Sequence, residues 1–90
     1  MYDATVQEGE KFAFECEVIG NPEPKIVWTK ENIPVDNNPD YLTKYLNGKC
    51  TLLIEETFTE DSARFSCQAT NILGTDQTEA ILKVKGTFNF

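Results

Sequence analysis

Alternation with a period of two runs through almost the whole chain, and no stretch carries a helical period. From Lys11 onward, Phe12, Phe14, Cys16 and Val18 share one face while Lys11, Ala13, Glu15 and Glu17 share the other, as in a half-buried strand. Gly20-Asn21-Pro22-Glu23-Pro24 stops that strand, because two prolines cannot join a central ladder. Lys25 to Lys30 forms the next strand, with Ile26 and Trp28 inward, and Asn32 to Asp40 is a loop with at most a short edge strand. Tyr41 to Leu46 and the run carrying Cys50, Leu52 and Ile54 flank Asn47-Gly48, a strong two-residue hairpin signal. Glu55 to Asp61 reads as a polar crossing. Ala63, Phe65, Cys67 and Ala69 alternate with polar residues, Asn71 to Asp76 turns about Gly74, and a last strand points Ala80, Leu82 and Val84 inward. Seven or eight short strands at near-regular spacing predict an all-β, two-sheet antiparallel sandwich.

Composition narrows what such a sandwich can do. Ninety residues suit a single domain with a thin core. No apolar run exceeds that of Leu52-Leu53-Ile54, so no stretch reads as a bilayer span, and Met1-Tyr2-Asp3 does not open a signal peptide. Eight basic against fifteen acidic residues leave a net charge of −7. That balance repels phosphate backbones and anionic lipid, so neither nucleic acid nor a membrane surface is an expected partner. Histidine is missing altogether, which removes the commonest general base and every Ser-His or Cys-His nucleophile. Three cysteines without histidine are too few for a four-ligand zinc site. No enzyme activity, cofactor or metal is therefore expected.

Cys16, Trp28 and Cys67 all face inward, on the second, third and penultimate strands. They belong to a longer string: Val6-x-Glu8-Gly9-Glu10, Cys16, Gly20-x-Pro22-x-Pro24, Trp28-x-Lys30, Leu52-x-Ile54, Asp61-x-Ala63-x-Phe65-x-Cys67-x-Ala69-x-Asn71 and Gly74. The string resembles the intermediate-set (I-set) immunoglobulin domains, and within them the modules of the titin, twitchin and palladin group of muscle and cytoskeletal proteins. The resemblance runs from Val6 to Val84. It implies an immunoglobulin-like sandwich over residues 1–85 with 86–90 as linker or tail. It also implies an inter-sheet disulfide or thiol pair at Cys16 and Cys67, with Trp28, Leu52, Ile54, Asp61 and Phe65 as core positions and Asp61 fixing the turn into the next strand. Two features depart from the pattern. Phe65 stands where the family has its corner tyrosine, so the hydroxyl-to-backbone bond of that tyrosine cannot form. The first strand has only Tyr2 to Gln7 before the Glu8-Gly9 turn, so it is expected to be truncated.

Other patterns read as ordinary surface or core. Asp36-Asn37-Asn38-Pro39-Asp40 begins like a calcium loop, but Tyr41 and Asn47 occupy the positions that need Gly and Glu. Glu55, Glu56, Glu60 and Asp61 lie on a polar crossing that offers no cleft for a carboxylate pair. Cys50 shares its face with Leu52 and Ile54 and is expected to pack as a small hydrophobe. Tyr41 and Tyr45 read as outward and are candidate partner contacts. Glu10, Glu15 and Glu17 make an acidic outer face that opposes edge aggregation.

The reading that follows is a non-catalytic, monomeric structural and protein-interaction module of an intracellular cytoskeletal or sarcomeric scaffold. Its partners would be other proteins or neighbouring domains of the same chain. Direct actin binding by the module alone is not expected, since its lysines are scattered and its net charge is acidic. The alternatives are an extracellular adhesion or receptor domain and a regulatory module flanking a giant muscle kinase. No Asn-x-Ser/Thr sequon occurs, and an odd cysteine count suits a reducing cytosol.

Overall fold

A computed structural model describes residues 1–86. Its strands are β1 (Ala4–Gln7), β2 (Phe12–Glu17), β3 (Lys25–Lys30), β4 (Ile33–Pro34), β5 (Leu42–Leu46), β6 (Lys49–Ile54), β7 (Ala63–Asn71) and β8 (Gly74–Lys85), with a 3-10 turn at Thr59–Asp61. They form a five-stranded sheet in the order β1-β8-β7-β3-β4 and a three-stranded sheet in the order β2-β6-β5. Every pairing is antiparallel except that of β1 with β8, which is parallel. Thr87-Phe88-Asn89-Phe90, read as part of a linker, lie outside the described residues.

The two inner faces meet in one core. Trp28, Phe65, Leu52, Ile54, Leu82 and Cys50 are each under 2% exposed, and each came from an inward position of the alternation. Phe14 leans on Phe65 at 5.4 Å between ring centroids and takes Phe12 edge-on at 4.7 Å. Such aromatic pairs add to the stabilisation from buried area alone.

The ends of the sandwich are built differently. At the end where β8 finishes, Glu8 N–H donates to Lys85 O, Gly9 N–H to Thr57 O and Thr57 N–H to Glu10 O. Thr57 is fully buried, and its hydroxyl also reaches Glu10 O at 2.7 Å. Ser62 and Val84 bond through the Ser62 hydroxyl, and Glu31 and Arg64 exchange two bonds. The opposite end carries Ile19, Ile72 and Leu73, exposed at 99%, 88% and 78%. Its ties are Val18 N–H to Gly48 O, Asn71 Nδ2 to Pro22 O and the Asn71 Oδ1 acceptor for Leu73 N–H.

Three expectations are corrected. The segment Asn71 to Asp76 is not a broad turn: the ladder of β7 with β8 runs to Asn71↔Gly74, leaving only Ile72 and Leu73 at the tip. Tyr41 does not point outward from a strand; it is 6% exposed and precedes β5. Tyr41 N–H donates to Asn38 O and Asn38 N–H to Val35 O, so a loop rather than strand parity sets the direction of its ring. Tyr45 is half-buried against the core. It lies directly opposite Cys50 in the β5–β6 ladder, and opposed residues share a face.

Candidate functional site

One ladder register and the packing of the two sheets bring three sulfurs together. Cys16 on β2 is directly opposite Cys50 on β6, and Cys67 on β7 meets them from the other sheet. The three Sγ atoms all lie within 4.8 Å of one another. All three are free thiols, with Cys50 and Cys67 buried and Cys16 half-buried. Sequence reasoning paired Cys16 with Cys67 and kept Cys50 apart as a packing residue. The inward parity of Cys50 was the signal that it joins them.

Their acidities are driven apart. A hydrogen bond from the Cys67 thiol lowers Cys16 from 9.0 to about 7 against the opposing effect of burial. Burial raises Cys50 to about 11. Cys67 is pushed up, chiefly through its bond to Cys16 and then by burial. Cys16 is thus the sulfur that ionises first, and thiolate character governs thiol reactivity. Cys16 and Cys67 also line a cleft of about 480 Å³ between the end of β2 and the first half of β8, with Val18, Gly20, Asn71 and Thr78 around it.

A second cluster holds the opposite end together. Asp61 is buried at the close of the 3-10 turn, where Oδ2 accepts from Phe58 N–H at 2.8 Å and Oδ1 accepts from the Tyr41 hydroxyl. The Tyr41 ring packs edge-on against Phe65 with centroids 5.8 Å apart. The ring packed beside Phe65 thus carries a hydroxyl, although Phe65 itself has none. Burial first, then the bond to Asp61, raises Tyr41 well above its usual 10.0. The Lys30 ammonium lies 5.6 Å from the Tyr41 ring centroid and donates to Glu60 O.

Glu55, Glu56 and Glu60 are exposed and do not converge with Asp61 on a cleft. Asp36 to Asp40 is an exposed loop in which Asn38 Oδ1 accepts from Asp40 N–H, a local turn bond. Lys25 and Lys30 sit on β3 while Lys44 and Lys49 sit on β5 and β6, so these four lysines divide between the two sheets. The ion pairs Lys11–Glu55, Lys49–Glu15 and Arg64–Glu79 are solvent-exposed at 3.4–3.9 Å.

The model of the immunoglobulin I-set domain family matches residues 1–84. The chain belongs to that family. This I-set domain is 42% identical over 80 residues to titin of Drosophila melanogaster, covering 89% of the chain and a share of titin that rounds to 0%. It is 36% identical to myopalladin of Mus musculus over 96 residues, covering 96% of the chain and 7% of myopalladin. Among solved structures, titin domains z1z2 in complex with telethonin superpose with a TM-score of 0.93 at 28% identity, covering 97% of the chain and 44% of that one. The I-set domain thus spans a small part of the length of these two curated relatives. Its sandwich is that of an I-set module, and similar sequences occur in titin and myopalladin.

Proposed function

We propose that this I-set domain is a non-catalytic structural and docking module of a multidomain cytoskeletal or sarcomeric scaffold. The observation that carries the reading is the parallel pairing of β1 with β8, in which Ala4, Thr5, Val6 and Gln7 face Leu82, Lys83, Val84 and Lys85. The first strand starts at one end of this pair and the last strand leaves at the other. Tension between them acts along the strands, so the inter-strand bonds share the load in shear rather than parting one at a time. Glu8 N–H to Lys85 O, at 2.8 Å, closes the ladder.

Similarity to titin and myopalladin supports a load-bearing or spacing role and a cytoskeletal location. A titin neighbour solved with telethonin supports other proteins as partners. Dispersed lysines and a charge of −7 oppose tight direct binding to acidic actin filaments. Residues 1–85 act as the folding unit in this reading.

The test is single-molecule extension of the domain held between handles at its two ends. Glu8→Pro removes the N–H that bonds Lys85 O and should lower the unfolding force while leaving a cooperative thermal melt. An unfolding force unchanged by Glu8→Pro would remove the shear clamp, and with it the load-bearing reading.

A further inference from the structure

We propose that Cys16, Cys50 and Cys67 form a trigonal thiolate site for one soft monovalent d10 cation of the copper(I) class. The sulfurs come from β2, β6 and β7, that is, from both sheets, yet all lie within 4.8 Å of one another. With metal–sulfur bonds of about 2.3 Å, three sulfurs around one ion stand about 4.0 Å apart. The existing triangle needs only a modest contraction to reach that geometry.

The donor set selects the ion. Three thiolates without an imidazole or carboxylate favour soft cations over magnesium, calcium or manganese. Zinc prefers a fourth ligand, and the described His, Cys, Asp and Glu groups supply three at this place. Copper(I) is satisfied by three sulfurs. Uptake replaces three S–H bonds by three S–Cu bonds and releases three protons to solvent, with no change in the oxidation state of copper or sulfur.

An entry route exists. Cys16 is half-buried and, with Cys67, lines the cleft of about 480 Å³, while Cys50 closes the site from inside with 0% exposure. Glu17 and Asp76 also line that cleft, and their charge attracts cations to its mouth. Three cysteines acting only as small hydrophobes have no need to point their sulfurs at a common centre from three strands.

The experiment uses the full chain, reduced and without oxygen, titrated against copper(I) buffered by bicinchoninate. The expected result is withdrawal of one copper per chain, loss of all three reactive thiols, X-ray absorption showing three sulfur neighbours, and a raised melting temperature, since a ligand bound by the native state stabilises it. Cys50→Ala and Cys16→Ala should each weaken binding by at least ~100-fold, the upper end of what even indirect ligand contacts cost. The spectroscopy on the unmutated chain decides the matter if either variant fails to melt cooperatively. Failure to withdraw copper from the chelator, a two-sulfur site, or affinity unchanged in folded Cys50→Ala would overturn the proposal.

Discussion

The hydroxyl of Tyr41 donates to the carboxylate of Asp61 across the gap between the loop that precedes β5 and the 3-10 turn that precedes β7. Oδ1 of Asp61 takes that bond while Oδ2 takes Phe58 N–H. One buried carboxylate thus joins a side chain from one crossing to the backbone of another, and the same Tyr41 ring packs edge-on against Phe65.

Tyr41→Phe should lower stability by about 1–3 kcal/mol, the range for a hydrogen bond to a charged group or a buried acceptor left unpaired. Because Tyr41 titrates higher in the fold than in the unfolded chain, its stabilisation is complete below about pH 10 and fades as pH climbs beyond that. Urea midpoints of the two proteins, measured at a series of pH values, should differ by a steady amount up to about pH 10 and converge as the pH rises beyond that. No gap at neutral pH would show that the hydroxyl contributes nothing, and a gap that stays constant into strong alkali would show that its ionisation is not linked to folding.

Gly48→Ala should cost about 1–3 kcal/mol, the usual cost of forcing a side chain into a sparsely populated backbone region. Gly48 has φ +79°, and an added Cβ would meet Val18 O at 2.9 Å. Val18 N–H donates to Gly48 O at 2.7 Å, so relieving the clash pulls on the bond that anchors the β5–β6 hairpin. Chemical denaturation reads the loss directly; an unaltered midpoint would mean that the hairpin tip adapts freely.

Leu52→Ala should destabilise by about 2–5 kcal/mol, because a fully buried leucine leaves a cavity as well as losing transfer free energy. Ile72→Ala, at an 88% exposed hairpin tip, should stay within about 0.5 kcal/mol of the parent. Calorimetry of the pair checks whether the central core or the apolar tip carries the fold.

The domain should fold with its thiols reduced. Strong reductant should leave the melt cooperative, and alkylation of the native protein should modify Cys16 before Cys50 or Cys67. If a Cys16–Cys67 bridge does form, closing that loop adds about 4 kcal/mol in the chain-entropy picture, and the melting temperature should fall on reduction without loss of the fold. Unfolding by reductant alone would contradict the expectation of a cytosolic module.

Strand parity made most of the fold legible, because a half-buried strand must alternate. Phe14, Trp28, Leu52, Ile54, Phe65, Leu82 and Val84 occupy the core at positions where alternation places them. Tyr45 was misread although its position followed from two visible facts. Asn47-Gly48 fixes a two-residue hairpin, which sets Tyr45 against Cys50, and Cys50 already faced inward. Tyr41 could not be read that way, since a loop aims it and loops obey no period. The thiol cluster needed the pairing of β2 with β6 as well as parity, and that pairing joins strands far apart in sequence.

The contrast between the two ends of the sandwich gives the module a direction. The chain comes in on the side of Ile19, Ile72 and Leu73, and β8 ends beside Glu8, Thr57 and Ser62. Copies placed in series therefore meet unlike surface to unlike surface, the rim of Ile19, Ile72 and Leu73 against the hydrogen-bonded end at Glu8, Thr57 and Ser62. Such a junction is heterologous: it can repeat along a filament without closing into a symmetric pair. Which way a string of these modules points is thus written into every bead.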